Sequence, residues 1–160
     1  MLCESLVLSQ VNYCDTIYGP CLRQVDAQRV QRLQNSCLRL IHGVRKYESI
    51  SHTFKLSNWL NMYNRRFLHS ACLFFKIIKI KIPIYLYSKI SFRTDVHNLN
   101  LRFKGGKLTP PKHSLELFKR SFSYQITFII NKLPKKILSL SNVIAFKKAL
   151  SNHLLLDQFK

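Results

Sequence analysis

Apolar residues return along most of this chain at the three- and four-residue intervals of a helix with one buried face. Leu2–Tyr18 mixes apolar and polar positions and runs into Gly19-Pro20, a stop signal, which predicts a first helix. Its abrupt beginning, with no cap or lead-in, reads as an internal start at Met1 within a longer ancestral frame. The clearest helix is Asp26–His42. Asp26 is its expected N-cap, Gly43 its expected C-terminal stop, and Val30, Leu33, Cys37, Leu40 and Val44 its expected buried stripe. Ile50–Leu56 predicts one short helix and Asn61–Lys79 a long one. In the long helix Phe67, Leu68, Ala71, Phe74, Phe75 and Ile78 share a side, opposite Met62, Arg66, His69 and Lys76. Pro83 ends it, because a residue before proline avoids the helical region, and Pro83–Leu86 reads as a short turn or helix.

Residues 92–115 change period. Leu99-Asn100-Leu101-Arg102-Phe103 alternates, Lys104-Gly105-Gly106-Lys107 follows, and Leu108-Thr109-Pro110-Pro111 resumes. Two glycines between short runs predict a hairpin turn. The rival reading, glycine amides cradling a phosphate between two lysines, lacks the spacing of a P-loop and its following helix. Arg120–Asn131 and Ser141–Leu155 predict two further helices joined around Pro134, the last burying Val143, Phe146, Leu150 and Leu154. The stretch SFSYQITFIINKLPKKI (Ser121–Ile137) thus fits a core helix stopped before Pro134, with Lys135 and Lys136 opening the next turn. The expected fold is mainly α: an irregular multi-helix bundle with a short β-hairpin near residues 99–109. Residues 1–90 form a helical region, 91–115 a loop and hairpin linker, and 116–160 a C-terminal helical segment, together one incomplete unit. No internal repeat or low-complexity tract interrupts this order.

Composition adds the partner class. With 47% hydrophobic residues the chain carries enough apolar material for a core, which argues against wholesale disorder. Its 26 Lys and Arg against 7 Asp and Glu give a net charge of +19, a balance that favours polyanions, either nucleic acid or an anionic membrane surface. Cysteines at 3, 14, 21, 37 and 72 form no C-x-x-C pair and fit a reducing compartment better than a disulfide framework. The N-terminus lacks a basic n-region and has an early Glu4, so it is a poor signal peptide. The most apolar run, ACLFFKIIKIKIPIYLY, is broken by Lys76, Lys79 and Lys81, so no transmembrane segment is expected. The reading is a soluble intracellular protein, with nucleus or cytoplasm left open.

Candidate chemistry is sparse. Tyr13-Cys14-Asp15-Thr16 resembles the Tyr-x-Asp-Asp turn of reverse-transcriptase-class polymerases, but Thr16 replaces the second aspartate. The other acids (Glu4, Asp26, Glu48, Asp95, Glu116 and Asp157) are scattered singly, whereas two-metal catalysis needs converging carboxylates. His69-x-x-Cys72 supplies two ligand types one turn apart, half of what a structural zinc site requires, and a packed cysteine beside a half-exposed histidine is the plainer reading. No catalytic residue, metal, cofactor or small-molecule substrate is expected. What remains is cationic surface: from Lys76 to Lys148 sixteen basic residues face two acidic ones. Phe92, Phe103, Phe118, Phe122 and Tyr124 are interleaved with them, as base-stacking platforms or, more simply, as core. The candidate nucleic-acid contacts are Arg29, Arg32, Arg39, Lys104, Lys107, Lys119, Arg120, Lys135 and Lys136, with a merely solvated face as the alternative for the three arginines. Two other functions compete: a small basic helical module that binds an acidic protein, and a peripheral membrane binder using Phe74–Leu86. Buried packing explains the latter segment better.

Six landmarks follow one another along the chain: VNYCDTIYG, VQRLQNSCLRLIHG, LSNWLNMYNRR before a long helix ending in IPIYL, HNLNLRFKGGKLTPP, SFSYQITFIINKLPKKI and AFKKAL. The series resembles the region downstream of the polymerase palm in LINE-type (non-LTR) retrotransposon reverse transcriptases, especially Jockey-like elements. That family shows a Tyr-Cys with a nearby Trp-Gly, a leucine- and glutamine-rich helix, a Trp-Leu before a double Arg, then Trp-Asn-x-Leu-Pro and a final Phe-Lys-x-x-Leu. Tyr18 stands where the family often has Trp, and Ile130 precedes Asn131-Lys132-Leu133-Pro134 where Trp is usual. The resemblance implies a parent RNA-directed DNA polymerase, of which residues 1–90 would be a thumb-like region. The fingers, the palm with its metal-binding aspartates and the endonuclease have no counterpart, so no polymerase activity is expected. The implied remaining role is a non-specific grip on template–primer RNA or DNA. The missing palm of a full-length element protein is a second implied partner, and its absence would leave apolar surface prone to aggregation.

Overall fold

Helical spacing becomes helix over most of the chain. The computed structural model describes residues 2–93 and 107–159, is mainly α, and contains no strand among those residues. It divides into two compact units, Met1–Arg66 with Ser151–Lys160, and Phe67–Leu150.

In the first unit the expected N-terminal helix is broken into pieces. A π-helical turn, Cys3–Leu8, runs into α1 (Ser9–Asn12); α2 (Asp15–Tyr18) and a 3₁₀ turn, Gly19–Cys21, follow. The break lies at Tyr13, which is extended, and Cys14, which is left-handed at φ 53°. Asn12 to Thr16 are all weak helix formers, so a tertiary hydrogen bond decides the local path. The Tyr18 hydroxyl supplies one by donating to the Val11 carbonyl across the break. The next helix, α3 (Gln24–His42), starts two residues earlier than expected. Arg23 is the N-cap residue, and Asp26 lies in the first turn, where its carboxylate faces the positive helix end. Gly43 closes α3 in the left-handed conformation at φ 64°, as its sequence position predicts. The buried face differs from the apolar stripe: Gln34, Cys37 and Leu38 are buried, whereas Leu33 and Leu40 are exposed. Short α4 (Ser51–Ser57) buries Thr53 and Phe54.

The second unit contains most of α5 (Met62–Ile80), which buries Leu68, Ala71, Phe74, Phe75 and Ile77. Met62, expected on the polar side, is also buried, at the first-unit end of the helix. Lys81 turns the chain out of α5 in a left-handed conformation, and α6 (Ile84–Tyr87) follows Pro83. Farther on lie a 3₁₀ turn, Glu116–Arg120, then α7 (Phe122–Lys132), α8 (Lys135–Leu138) and α9 (Val143–Gln158). Ser121 caps α7, so the helix starts after Arg120, its expected first residue, which ends the 3₁₀ turn; Pro134 separates α7 from α8, as the sequence pattern requires. On α9, Phe146, Leu150 and Leu154 are buried, and Phe146 stacks on Phe75 with ring centroids 4.3 Å apart. The expected hairpin near residues 99–109 is not seen. Its first run and its glycine turn lie outside the described residues, and Leu108, in the second run, forms an isolated antiparallel bridge with Phe92. Arg93 N donates to Lys107 O and Thr109 N to Ser91 O, while both main-chain groups of Leu108 are taken by a side chain.

Candidate nucleic-acid interface

The side chain that occupies Leu108 is Asn131, near the C-terminus of α7. Leu108 N donates to Asn131 Oδ1 at 2.9 Å, and Asn131 Nδ2 donates to Leu108 O at 3.0 Å. A primary amide carries one acceptor and two donors, so it satisfies both main-chain groups as a neighbouring strand would. Leu108 is wholly buried, and the clamp fixes Lys107 beside the end of α7, just before Lys135 and Lys136 open α8.

Ahead of α7, four rings gather into one surface cluster. His113 stacks on Phe118 (centroids 6.2 Å, 13°) and meets Tyr124 edge-on (4.9 Å, 74°); Tyr124 also contacts Phe128 at 5.0 Å. Tyr124, Phe128 and Lys132 succeed one another at four-residue intervals and so share one helix face. Phe118 and Phe128 keep 37% and 42% of their surface exposed, which leaves ring area for a planar ligand. Lys112, Arg120 and Lys132 are exposed around the cluster, and Gln125 Nε2 donates to Lys119 O at 2.7 Å, tying the 3₁₀ turn to α7. Between residues 107 and 136 seven basic residues face one acid, Glu116. That acid is engaged: Lys119 Nζ donates to its Oε1 at 2.5 Å. The bond holds the Glu116 carboxyl below the usual carboxylate range and pushes the Lys119 ammonium up.

The candidate cations fall into different settings. Arg29 and Arg32 are exposed one turn apart on α3, and Arg29 pairs with Asp26 at 3.3 Å. Arg39 is structural: its guanidinium donates to Arg45 O and, at 2.8 Å, to Glu48 O, fastening the loop after α3. Lys107, Arg120, Lys135 and Lys136 are exposed, Lys119 is half-buried, and Lys104 lies outside the described residues. His113, Phe128, Lys112 and Lys132 are further members of the site that the sequence pattern did not single out; the four-residue spacing of Tyr124, Phe128 and Lys132 was the available signal.

Elsewhere, polar residues serve the fold. Three glutamines hold the turn before α5. Gln34 Nε2 donates to Leu60 O at 2.8 Å, Gln31 Oε1 accepts from Met62 N at 2.9 Å, and Gln158 accepts from Asn61 N and donates to Trp59 O. Arg65 pairs with Glu4 at 3.0 Å, and Arg66 packs against Gly19, where an added Cβ would approach Arg66 Cδ to 2.8 Å. Asp15 is buried at the start of α2, and burial pushes the nearby Tyr18 phenol up, against the opposing field of Arg66. Burial likewise raises the Cys72 thiol, opposed by Lys147 and Lys76. Among the described residues no group of three or more His, Cys, Asp or Glu side chains could hold a metal ion, and no helix is long and apolar enough to cross a membrane. No family model matches the chain, and neither does any curated protein or solved structure.

Proposed function

We propose that this chain derives from the region downstream of the palm in a retrotransposon reverse transcriptase and grips single-stranded RNA or DNA without sequence preference. The observation that carries the binding is the exposed His113–Phe118–Tyr124–Phe128 cluster set among Lys112, Lys119, Arg120 and Lys132. Bases stack on such rings whatever their identity, while the cations take phosphates and release counterions. Ancestry rests on the order of the six sequence landmarks alone.

The test is binding of a fluorescent single-stranded oligonucleotide across a salt series. Affinity is expected to fall linearly on a log–log plot, by about 0.7 per phosphate neutralised. Phe118→Ala with Phe128→Ala is expected to weaken it about tenfold or more at fixed salt, the loss of one or two stacked bases. A flat salt response would overturn the phosphate grip, and equal affinity of the double variant would overturn the stacking mode. Binding to an acidic protein with none to oligonucleotide would instead favour the small basic interaction module. Purified protein is expected to give no magnesium-dependent primer extension.

A further inference from the structure

The lysine-punctuated run after Phe74 is split by the fold. Phe74, Phe75 and Ile77 are core, but the residues that follow turn outward. Ile80, Ile82, Ile84 and Tyr85 are between 59 and 76% exposed, four large apolar side chains within six residues. They occupy the end of α5 and the turn into α6, where Lys81 is left-handed at φ 58° and Pro83 precludes further α5 helix. Lys76, Lys79, Lys81 and Lys89 are exposed around them, and no acidic residue occurs between Glu48 and Asp95. Single exposed apolar residues are ordinary, but a contiguous apolar tip rimmed by one sign of charge marks a contact surface.

We infer that the Ile80–Tyr85 turn is a peripheral membrane contact that inserts its isoleucines into an anionic bilayer surface. Charge complementarity selects the partner: four lysines and no acid suit anionic headgroups, and lysine stems can lie along the acyl boundary while their ammonium groups reach phosphate. Nucleic acid would engage the lysines but has little use for three aliphatic side chains, since bases stack on aromatic faces. Tyr85, apolar in its ring and polar at its hydroxyl, suits the same interface. The contact is distinct from the ring cluster at His113–Phe128, so the two can be separated by mutation.

The experiment is cosedimentation of the full chain with vesicles of phosphatidylcholine alone or with 30% phosphatidylserine. The expected result is binding to the serine-containing vesicles and little to the neutral ones. Ile82→Ser with Ile84→Ser, which leaves the charge unchanged, is expected to weaken it about tenfold or more while oligonucleotide affinity stays constant. Lys76→Gln with Lys79→Gln is expected to weaken it by about fivefold per lysine. Both pairs retain the thermal transition of the parent if the exposed positions carry no packing. Should either pair unfold, Tyr85→Ser supplies a second apolar test. Absence of vesicle binding would overturn the inference. So would full retention by the isoleucine variant, which would reduce the effect to charge alone.

Discussion

Asn131 and Gln34 show how one amide can decide a local fold. Each is near or inside a helix, and each spends its side chain on main-chain groups far along the sequence, at Leu108 and Leu60. Asn131→Ala removes two hydrogen bonds and strands two main-chain groups on a buried residue. The expected cost is about 2–3 kcal/mol in a denaturant titration. Gln34 also explains the rotated face of α3. A turn that presents Leu60 O and Met62 N needs polar partners, so α3 offers Gln31 and Gln34 while Leu40 points out, 77% exposed. Apolar spacing registers side-chain hydrophobicity, and this contact is made by hydrogen bonding. The sequence therefore showed the helix and its Gly43 stop, but the buried face only in part. The candidate arginines divide by the same logic. Arg29 and Arg39 look alike in sequence, yet Arg39 is committed to Arg45 O and Glu48 O.

Among elements, the Glu116–Arg120 turn tunes the ring cluster. Glu116 occupies the ammonium of Lys119, which would otherwise be available to phosphate. Glu116→Gln is expected to tighten oligonucleotide binding a few-fold at low salt and to leave it nearly unchanged at high salt, where screening removes the difference. Because the Glu116 carboxyl is held below its usual range, the pair contributes fully above the unfolded value of about 4.3. It is lost as pH falls through the lowered folded value, so the effect of Glu116→Gln is expected to shrink in acid and persist at neutral pH. Element boundaries were mostly legible: Pro83, Pro134 and Gly43 act through backbone geometry and need no distant partner. The hairpin near 99–109 is not seen: its first run and turn lie outside the described residues, and in its second run Leu108 bridges Phe92 and bonds Asn131. The N-terminal helix failed because Tyr18 bonds across Tyr13–Cys14, and the intervening residues have too little helix propensity to resist.

For the whole molecule, charge governs behaviour in solution. A net charge of +19 in 160 residues stores self-repulsion in any compact state. Seven acids cannot neutralise 26 bases, and the pairs that do form, such as Arg29–Asp26, Arg65–Glu4 and Lys119–Glu116, each involve a partly exposed group. The melting temperature is therefore expected to rise as sodium chloride increases from low to moderate concentration, measured by circular dichroism. A midpoint independent of salt would mean that the charges are too widely spaced to oppose folding. The same self-repulsion makes a polyanion a stabilising ligand, so an oligonucleotide that binds the ring cluster should raise the midpoint in proportion to its occupancy.

By itself the sequence determined the helical class, the positions of the main stops, three of the four expected buried positions of α9 (Phe146, Leu150 and Leu154, with Val143 half-buried) and the cationic character of the chain. Each of these follows from composition or from residues within a turn or two of one another. Tertiary structure alone decided the three-glutamine hold on the Trp59–Met62 turn, the Asn131 clamp, the commitment of Arg39, and the gathering of His113, Phe118, Tyr124 and Phe128. It also decided that Phe74 and Phe75 are core while Ile80 to Tyr85 are exposed. These depend on which groups the fold brings together, from Arg39 and Arg45 six residues apart to Gln158 and Trp59 ninety-nine apart, and a hydrophobic period carries no record of the partner it will find.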